Sequence, residues 1–188
     1  MSTSKDNVIT RQLHGKFGDQ VVFRTRYGKS YTANVPKTRA GKPGAAQQQT
    51  RDRFRMATQW AKIALSDPVQ TEAYKAKAKN GVTAFVAAIT DFLRPPRIAE
   101  ILYSGYNGHA GDKILVSAID DFHVKEVSLK ITDPSGALIE QGPCQPVGNN
   151  LYWQFNATVE VPSLTGVKIT AIAIDNPGHA GASFVTIE

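Results

Sequence analysis

The chain has 188 residues, 41 % of them apolar, and a net charge of +6 from 22 Lys and Arg against 16 Asp and Glu; this length allows one domain or two small ones. Its single cysteine, Cys144, excludes an intramolecular disulfide and a Cys-rich zinc site. No stretch approaches the roughly 18 apolar residues of a membrane-spanning helix, and the polar start Met1-Ser-Thr-Ser-Lys5 carries no secretory-type apolar run, so synthesis in the cytoplasm is expected, with release as part of a particle or filament left open.

The charge is unevenly divided. Residues 1–97 hold 18 Lys/Arg and 6 Asp/Glu, a net of +12, and residues 98–188 hold 4 and 10, a net of −6. The change falls at Arg94-Pro95-Pro96-Arg97. Two successive prolines end a helix, and Pro95 drives Arg94 out of the α region. The apolar period changes there too, from helical spacing to alternation. The expected class is α+β in three parts: a basic β arm and linker over 1–43, a helical region over 44–96 and an acidic β domain over 97–188.

In the arm, Val21 to Tyr27 is β-prone and alternates at Phe23, Thr25 and Tyr27. Gly28-Lys29 reads as a turn, with Ser30 to Val35 returning as a second strand. An earlier turn is expected at Gly15 to Asp19, giving two or three short strands. Arg24 and Arg26 share one face, which the pattern sets opposite the neighbouring aromatics. Lys37 to Gly44 reads as a basic linker. Arg24, Arg26, Tyr27, Lys29 and Tyr31 are candidates for contact with another copy or with nucleic acid, where cations meet phosphates and rings stack on bases. The plainer reading is a solvated basic face. A third is strand addition at the sheet edge of a neighbouring subunit.

Ala45 to Leu65 is predicted as one helix, with Phe54, Ala57, Ala61 and Ala64 on its apolar stripe and Met56, Trp60 and Ile63 beside it. Arg51, Arg53 and Arg55 are further contact candidates, but at 100° per residue they spread over about 200° of arc. Asp67-Pro68-Val69-Gln70 is a helix start, with Asp67 as N-cap, Pro68 at the first position and Gln70 at the third. That helix carries Val69, Ala73, Tyr74, Ala76 and Ala78 and ends at Asn80-Gly81. Val82, Phe85, Val86, Ile89, Phe92 and Leu93 make the most apolar helix. The break at Ser66 to Pro68 lacks the Gly often found in a DNA-binding helical turn, so packing of the helices on each other or on a neighbouring copy is the preferred reading.

After the prolines, strands are expected over 98–103, 113–119, 124–132, 137–140, 151–161, 167–174 and 184–187, with Gly142-Pro-Cys-Gln-Pro146 as a break. Trp153, Phe155, Ala157 and Val159 share one face, as do Val167, Ile169, Ala171 and Ala173. Seven short strands in about 90 residues fit a sandwich of two sheets.

Particular residues carry a resemblance. Ile114 to Val127 with Asp120-Asp121, the turn Asp133-Pro-Ser-Gly136, Trp153, and Ile169 to Gly178 with Asp175 resemble bacterial Ig-like domains. Those show an Asp-rich second turn, a D-x-x-G turn and an A-x-D-x-x-G-N end, where His179 replaces the usual Asn. Gly15 to Phe23, Tyr31 to Pro36 and Gln47 to Phe54 are similar to small uncharacterised bacterial proteins in which such a helical part precedes an Ig-like domain. The resemblance implies an Ig-like antiparallel sandwich for the second half and no activity for either half.

If the strand order is Ig-like, Asp120, Asp121, His123, Asp175 and His179 gather at one end. Carboxylates there could hold Ca²⁺, or histidines Zn²⁺ or Ni²⁺; the plainer reading has Asp120 and Asp175 capping their own turns. Gly-His-Ala-Gly occurs at 108–111 and 178–181, at opposite sandwich ends in that topology. Cys144, in a Pro-flanked loop, has no partner at catalytic spacing. No cofactor is implied and no enzymatic signature is present. The expected function is a structural protein that self-assembles head to tail, as filament, tube, ring or virion component, because a basic and an acidic part on one chain are complementary between copies. The alternatives are nucleic-acid binding by the basic part, and a surface adhesin or carbohydrate-binding module.

Overall fold

In the computed structural model, residues 2–4, 13–26, 29–37, 41–78, 81–148 and 151–188 are described. The chain divides into two compact units, Met1–Gln48 and Gln49–Glu188. From residue 49 onward the helical stretch falls in the same unit as the C-terminal sheets.

In the first unit, Ser2–Ser4 (β1), Gly15–Phe17 (β2), Val21–Arg26 (β3) and Lys29–Asn34 (β4) form an antiparallel sheet ordered β1-β4-β3-β2. Lys29 pairs with Arg26, so it lies in a strand and not in the expected turn; Tyr27 and Gly28 lie outside the described residues. Gly15 opens β2, and the turn occupies Gly18 to Gln20. From Gly15 to Thr25 and from Lys29 to Asn34 every residue is exposed or half-buried.

The second unit begins with helix α1, Ala45–Ala64, most of which belongs to it, followed by α2, Pro68–Lys77, and α3, Ala84–Leu93. Asp67 caps α2 by accepting from the Val69 N–H at 2.9 Å, and Pro68 opens the first turn. Thr83 caps α3 through the Val86 N–H at 3.3 Å. Arg94 leaves the helix at φ −122° and ψ 97°, the extended geometry that a following proline imposes. Ala57, Ala61 and Ala64 of α1 pack with Tyr74 of α2 and with Ala88 and Ile89 of α3. Phe54, Met56 and Ile63, expected on or beside the buried stripe, are exposed. Alanines let the helices meet along a narrow strip, which begins one turn after Phe54. Met56 and Ile63 sit roughly 100° or more around the helix from the centre of that strip.

Eight strands follow: Arg97–Leu102 (β5), Lys113–Ile119 (β6), Val124–Thr132 (β7), Leu138–Pro143 (β8), Gln145–Val147 (β9), Tyr152–Asn156 (β10), Lys168–Asp175 (β11) and Ala180–Thr186 (β12). They make two four-stranded antiparallel sheets, β5-β6-β10-β9 and β12-β11-β7-β8. Alternate residues face one shared core, with Ile114, Val116, Trp153 and Phe155 from one sheet and Leu129, Ile131, Ile169 and Ala171 from the other. The strand expected to reach Val161 stops at Asn156, and Val159 is exposed.

The expected break at 142–146 is largely strand. β8 lies at the edge of one sheet and β9 at the edge of the other, and the chain crosses between them at Cys144, whose N–H donates to the Val127 carbonyl at 2.8 Å. Pro143 and Pro146 fit because an edge strand does not need every N–H. The crossing buries Cys144, and burial pushes its thiol up to about 12; it does not lie in an open loop.

Ring contacts and a close backbone approach help seat the helices on one end of the two sheets. Phe122, from the β6–β7 turn, stacks on Tyr74 with centroids 4.0 Å apart. Phe92 meets His179 edge-on at 4.6 Å. The Pro96 carbonyl lies so close to Gly181 that an added Cβ would overlap it.

Candidate functional site

Directly opposed residues of an antiparallel pair point to one face. In the small sheet Arg24 stands opposite Tyr31, and Arg26 opposite Lys29. These four positions therefore share one face, and Phe23 occupies the other. Tyr31 thus sits on the arginine face, because the register and not the spacing within one strand decides it. Arg24 and Lys29 are exposed and Tyr31 is half-buried. Lys16 reaches the same face opposite Val22, where Asp19 holds its ammonium at 2.6 Å. Tyr27 is outside the described residues. The face can bind anionic groups through Arg24 and Lys29, with a ring beside them.

The helix arginines do not join into a patch. Arg53 donates to the Leu93 carbonyl at the end of α3, at 3.2 Å. Arg55 pairs with Asp52 at 3.2 Å, and Arg51 is exposed.

At the helix-side end of the sheets, the turns bearing Asp120, Asp121, His123, Asp175 and His179 do meet. Asp120 Oδ2 accepts from the Phe122 and His123 N–H groups at 3.0 and 2.8 Å. Asp175 Oδ1 accepts from the His179 N–H at 2.6 Å, and its Oδ2 lies 3.3 Å from His179 Nδ1. Asp121 pairs with Arg94 at 2.7 Å. Asp120 and Asp175 cap their own turns, and among the described residues no three His, Cys, Asp or Glu side chains are arranged to hold a metal ion.

The same end holds residues the sequence reading passes over. Tyr74 donates its hydroxyl to Asp91 Oδ2 at 2.6 Å, and the Asn176 side chain bridges Gln70 Oε1 and the Tyr74 hydroxyl at 3.2 and 3.3 Å. Asp91 is 1 % exposed. Burial pushes its carboxyl up to about 7, with the Tyr74 hydrogen bond opposing and the charges of Asp120 and Asp175 adding. A lone acid in the most apolar helix, three residues after the buried Ala88, was the signal that could have found it.

The far end of the sheets is acidic. Asp112 accepts from the Asn107 and His109 N–H groups at 2.7 and 3.0 Å, which holds its carboxyl below the usual range. Glu140 accepts from the Thr158 N–H and hydroxyl at 2.9 and 2.7 Å. Asp133, held low by Ser135 and the Ala137 N–H, and exposed Glu160 lie at this end too. The two Gly-His-Ala-Gly segments fall at opposite ends, as the strand order requires. Each has one glycine that no other residue can replace without clash. At Gly108 (φ +86°) a Cβ would stand 2.5 Å from the Val161 carbonyl oxygen, and at Gly181 it would overlap Pro96.

No family model matches the chain, and no curated protein matches it. Solved structures resemble part of it. CopC from Methylosinus trichosporium OB3b is 14 % identical over 47 % of this chain and 87 % of its own, with a TM-score of 0.36. A tetra-tandem repeat from the extending region of a large adhesion protein is 16 % identical over 47 % of this chain and 23 % of its own, at 0.35. A conjugative transposon lipoprotein from Bacteroides eggerthii DSM 20697 is 7 % identical over 50 % of this chain and 94 % of its own, at 0.28. At these scores the likenesses carry no functional argument. No helix is long and apolar enough among the described residues to cross a membrane.

Proposed function

We propose that the chain is a structural protein that self-associates, with the basic sheet of one copy docking on the acidic far end of the next copy's sheets. The observation that carries this is a four-stranded sheet in which no residue from Gly15 to Thr25 or from Lys29 to Asn34 is buried. A sheet needs an apolar face covered by another layer to be stable, and here Leu13 and Phe17 stand exposed. A second copy offers the complementary charge: Arg24 and Lys29 on one side, and Asp112, Asp133, Glu140 and Glu160 on the other. A contact between unlike surfaces repeats, and it closes into a ring or continues as a filament. The two facing sheets are read as an Ig-like domain, serving as the body of each copy.

The test is particle size after nuclease treatment, by light scattering and negative-stain imaging. Full-length protein is expected as rings, tubes or filaments free of nucleic acid. Removal of residues 1–43 is expected to leave a folded particle of monomer size. A full-length monomer, or a truncated protein that still assembles, refutes the reading. A second reading, nucleic-acid binding, draws on Tyr31 lying beside Arg24 on the same face. Particles that dissolve on nuclease treatment would favour it.

A further inference from the structure

The helix-side end of the sheets brings carboxyl groups from three separate segments together. Asp91 comes from α3, Asp120 from the β6–β7 turn and Asp175 from the end of β11, and Tyr74 of α2 binds Asp91 directly. Asp91 and Asp175 are essentially unexposed. Asp91 Oδ1 and Asp120 Oδ1 are both buried and accept from no donor among the described residues. Among the described residues no Lys or Arg pairs with Asp91 there. Arg94 is taken by Asp121, Lys77 lines a surface groove with Phe122 and His123, and His179 serves Asp175. From α1 the group that approaches is Trp60, which is not titratable; its ring lies against Phe92.

Two facing carboxyl groups without a cation are stable with one proton between them. A proton on Asp91 turns one bare oxygen into a donor toward Asp120 and leaves Oδ2 to accept from Tyr74. Loss of that proton places a buried anion beside two further carboxylates, with one oxygen unsatisfied. The site of this change is the seam that seats the helices, because Tyr74 also carries the Phe122 stack and the Asn176 bond.

We infer that Tyr74, Asp91, Asp120 and Asp175 form a proton-operated latch: with a proton on Asp91 the helices are held on the sheets, and its loss loosens α2 and α3. The direction follows from linkage. A carboxyl raised by folding contributes its full stability below its ordinary value of 3.8, loses it as the pH climbs towards about 7, and contributes nothing further above. Dissociation of α2 and α3 would expose the apolar face of Tyr74, Ala88 and Ile89 and the seam residue Phe122. The device is independent of how copies assemble.

Three measurements on the full chain test it. The carboxyl carbon shift of Asp91 is expected to titrate above about pH 6, against roughly 4 for an ordinary Asp; titration below about pH 5 overturns the latch. The melting temperature of the wild type is expected to fall by roughly 5 °C or more between about pH 5 and 8.5. Asp91→Asn, which keeps an acceptor for Tyr74 and presents a donor to Asp120 at every pH, is expected to lose most of that fall, and His179→Gln to keep it. If Asp91→Asn falls as much as the wild type, or His179→Gln alone is flat, the sensor is elsewhere. Amide exchange, corrected for its intrinsic pH dependence, is expected to quicken in α2 and α3 above about pH 8 while β7 and β11 stay protected. Equal quickening throughout would mean general weakening and no latch. Should Asp91→Asn fail to fold, the wild-type titration and exchange still decide.

Discussion

One glycine and one tryptophan sit at close contacts between parts of the second unit. Gly181 lies under the Pro96 carbonyl, where the helices hand over to the first strand. Gly181→Ala is expected to destabilise by about 1–3 kcal/mol, the range for forcing atoms into a packed site, read as a lower urea midpoint at unchanged slope; a change under about 0.5 kcal/mol would show that the linker slides freely. Trp153 is 6 % exposed between the sheets, and Trp153→Ala is expected to cost about 3–5 kcal/mol. A loss below about 1 kcal/mol in the same denaturant melt would mean the core closes over the gap. Asp91 is legible only in hindsight. An acid in an apolar helix marks either a polar face or a buried network, and only Tyr74, Asp120 and Asp175, which lie far apart in sequence, decide between them.

At the scale of elements, local signals predicted local structure well. Asp67-Pro68 starts α2 through the cap geometry its chemistry implies. Asp67→Ala is therefore expected to cost about 1 kcal/mol, with calorimetry as the check; no loss would mean the cap bond is replaced by water. Prolines misled at 142–146 because their cost depends on whether a neighbouring strand needs the missing N–H. At the edges of both sheets none does. The stripe on α1 misled for a related reason. Period shows which residues share a side of a helix, but the width of the buried strip depends on the partner's residues, and small Ala57, Ala61 and Ala64 make it narrow.

At the scale of the whole molecule, the charge division along the chain is the property most open to test. If unlike surfaces pair between copies, Arg24→Glu with Lys29→Glu is expected to yield small particles, and so is Asp133→Lys with Glu160→Lys. Equal mixing of the two variants is then expected to restore large ones, because each supplies the surface the other's altered end now fits. Light scattering reads this directly, and a mixture that stays as small as either variant would rule out the pairing. Nucleic-acid binding by the basic face makes the opposite forecast, since mixing cannot repair a lost phosphate contact.

The sequence by itself determined the helices, most of the strands, the proline boundary and the opposed charges, because those depend on neighbours within a few residues. The tertiary structure decided which residues meet. It set Tyr31 beside Arg24 through strand register, gave Asp120 and Asp175 to their own turns, and buried Asp91 against both. Such meetings depend on contacts across 17 residues for Tyr74 and Asp91, and across 102 for Tyr74 and Asn176. No local period encodes a distance of that kind; it arises only when helices and sheets are packed at one seam.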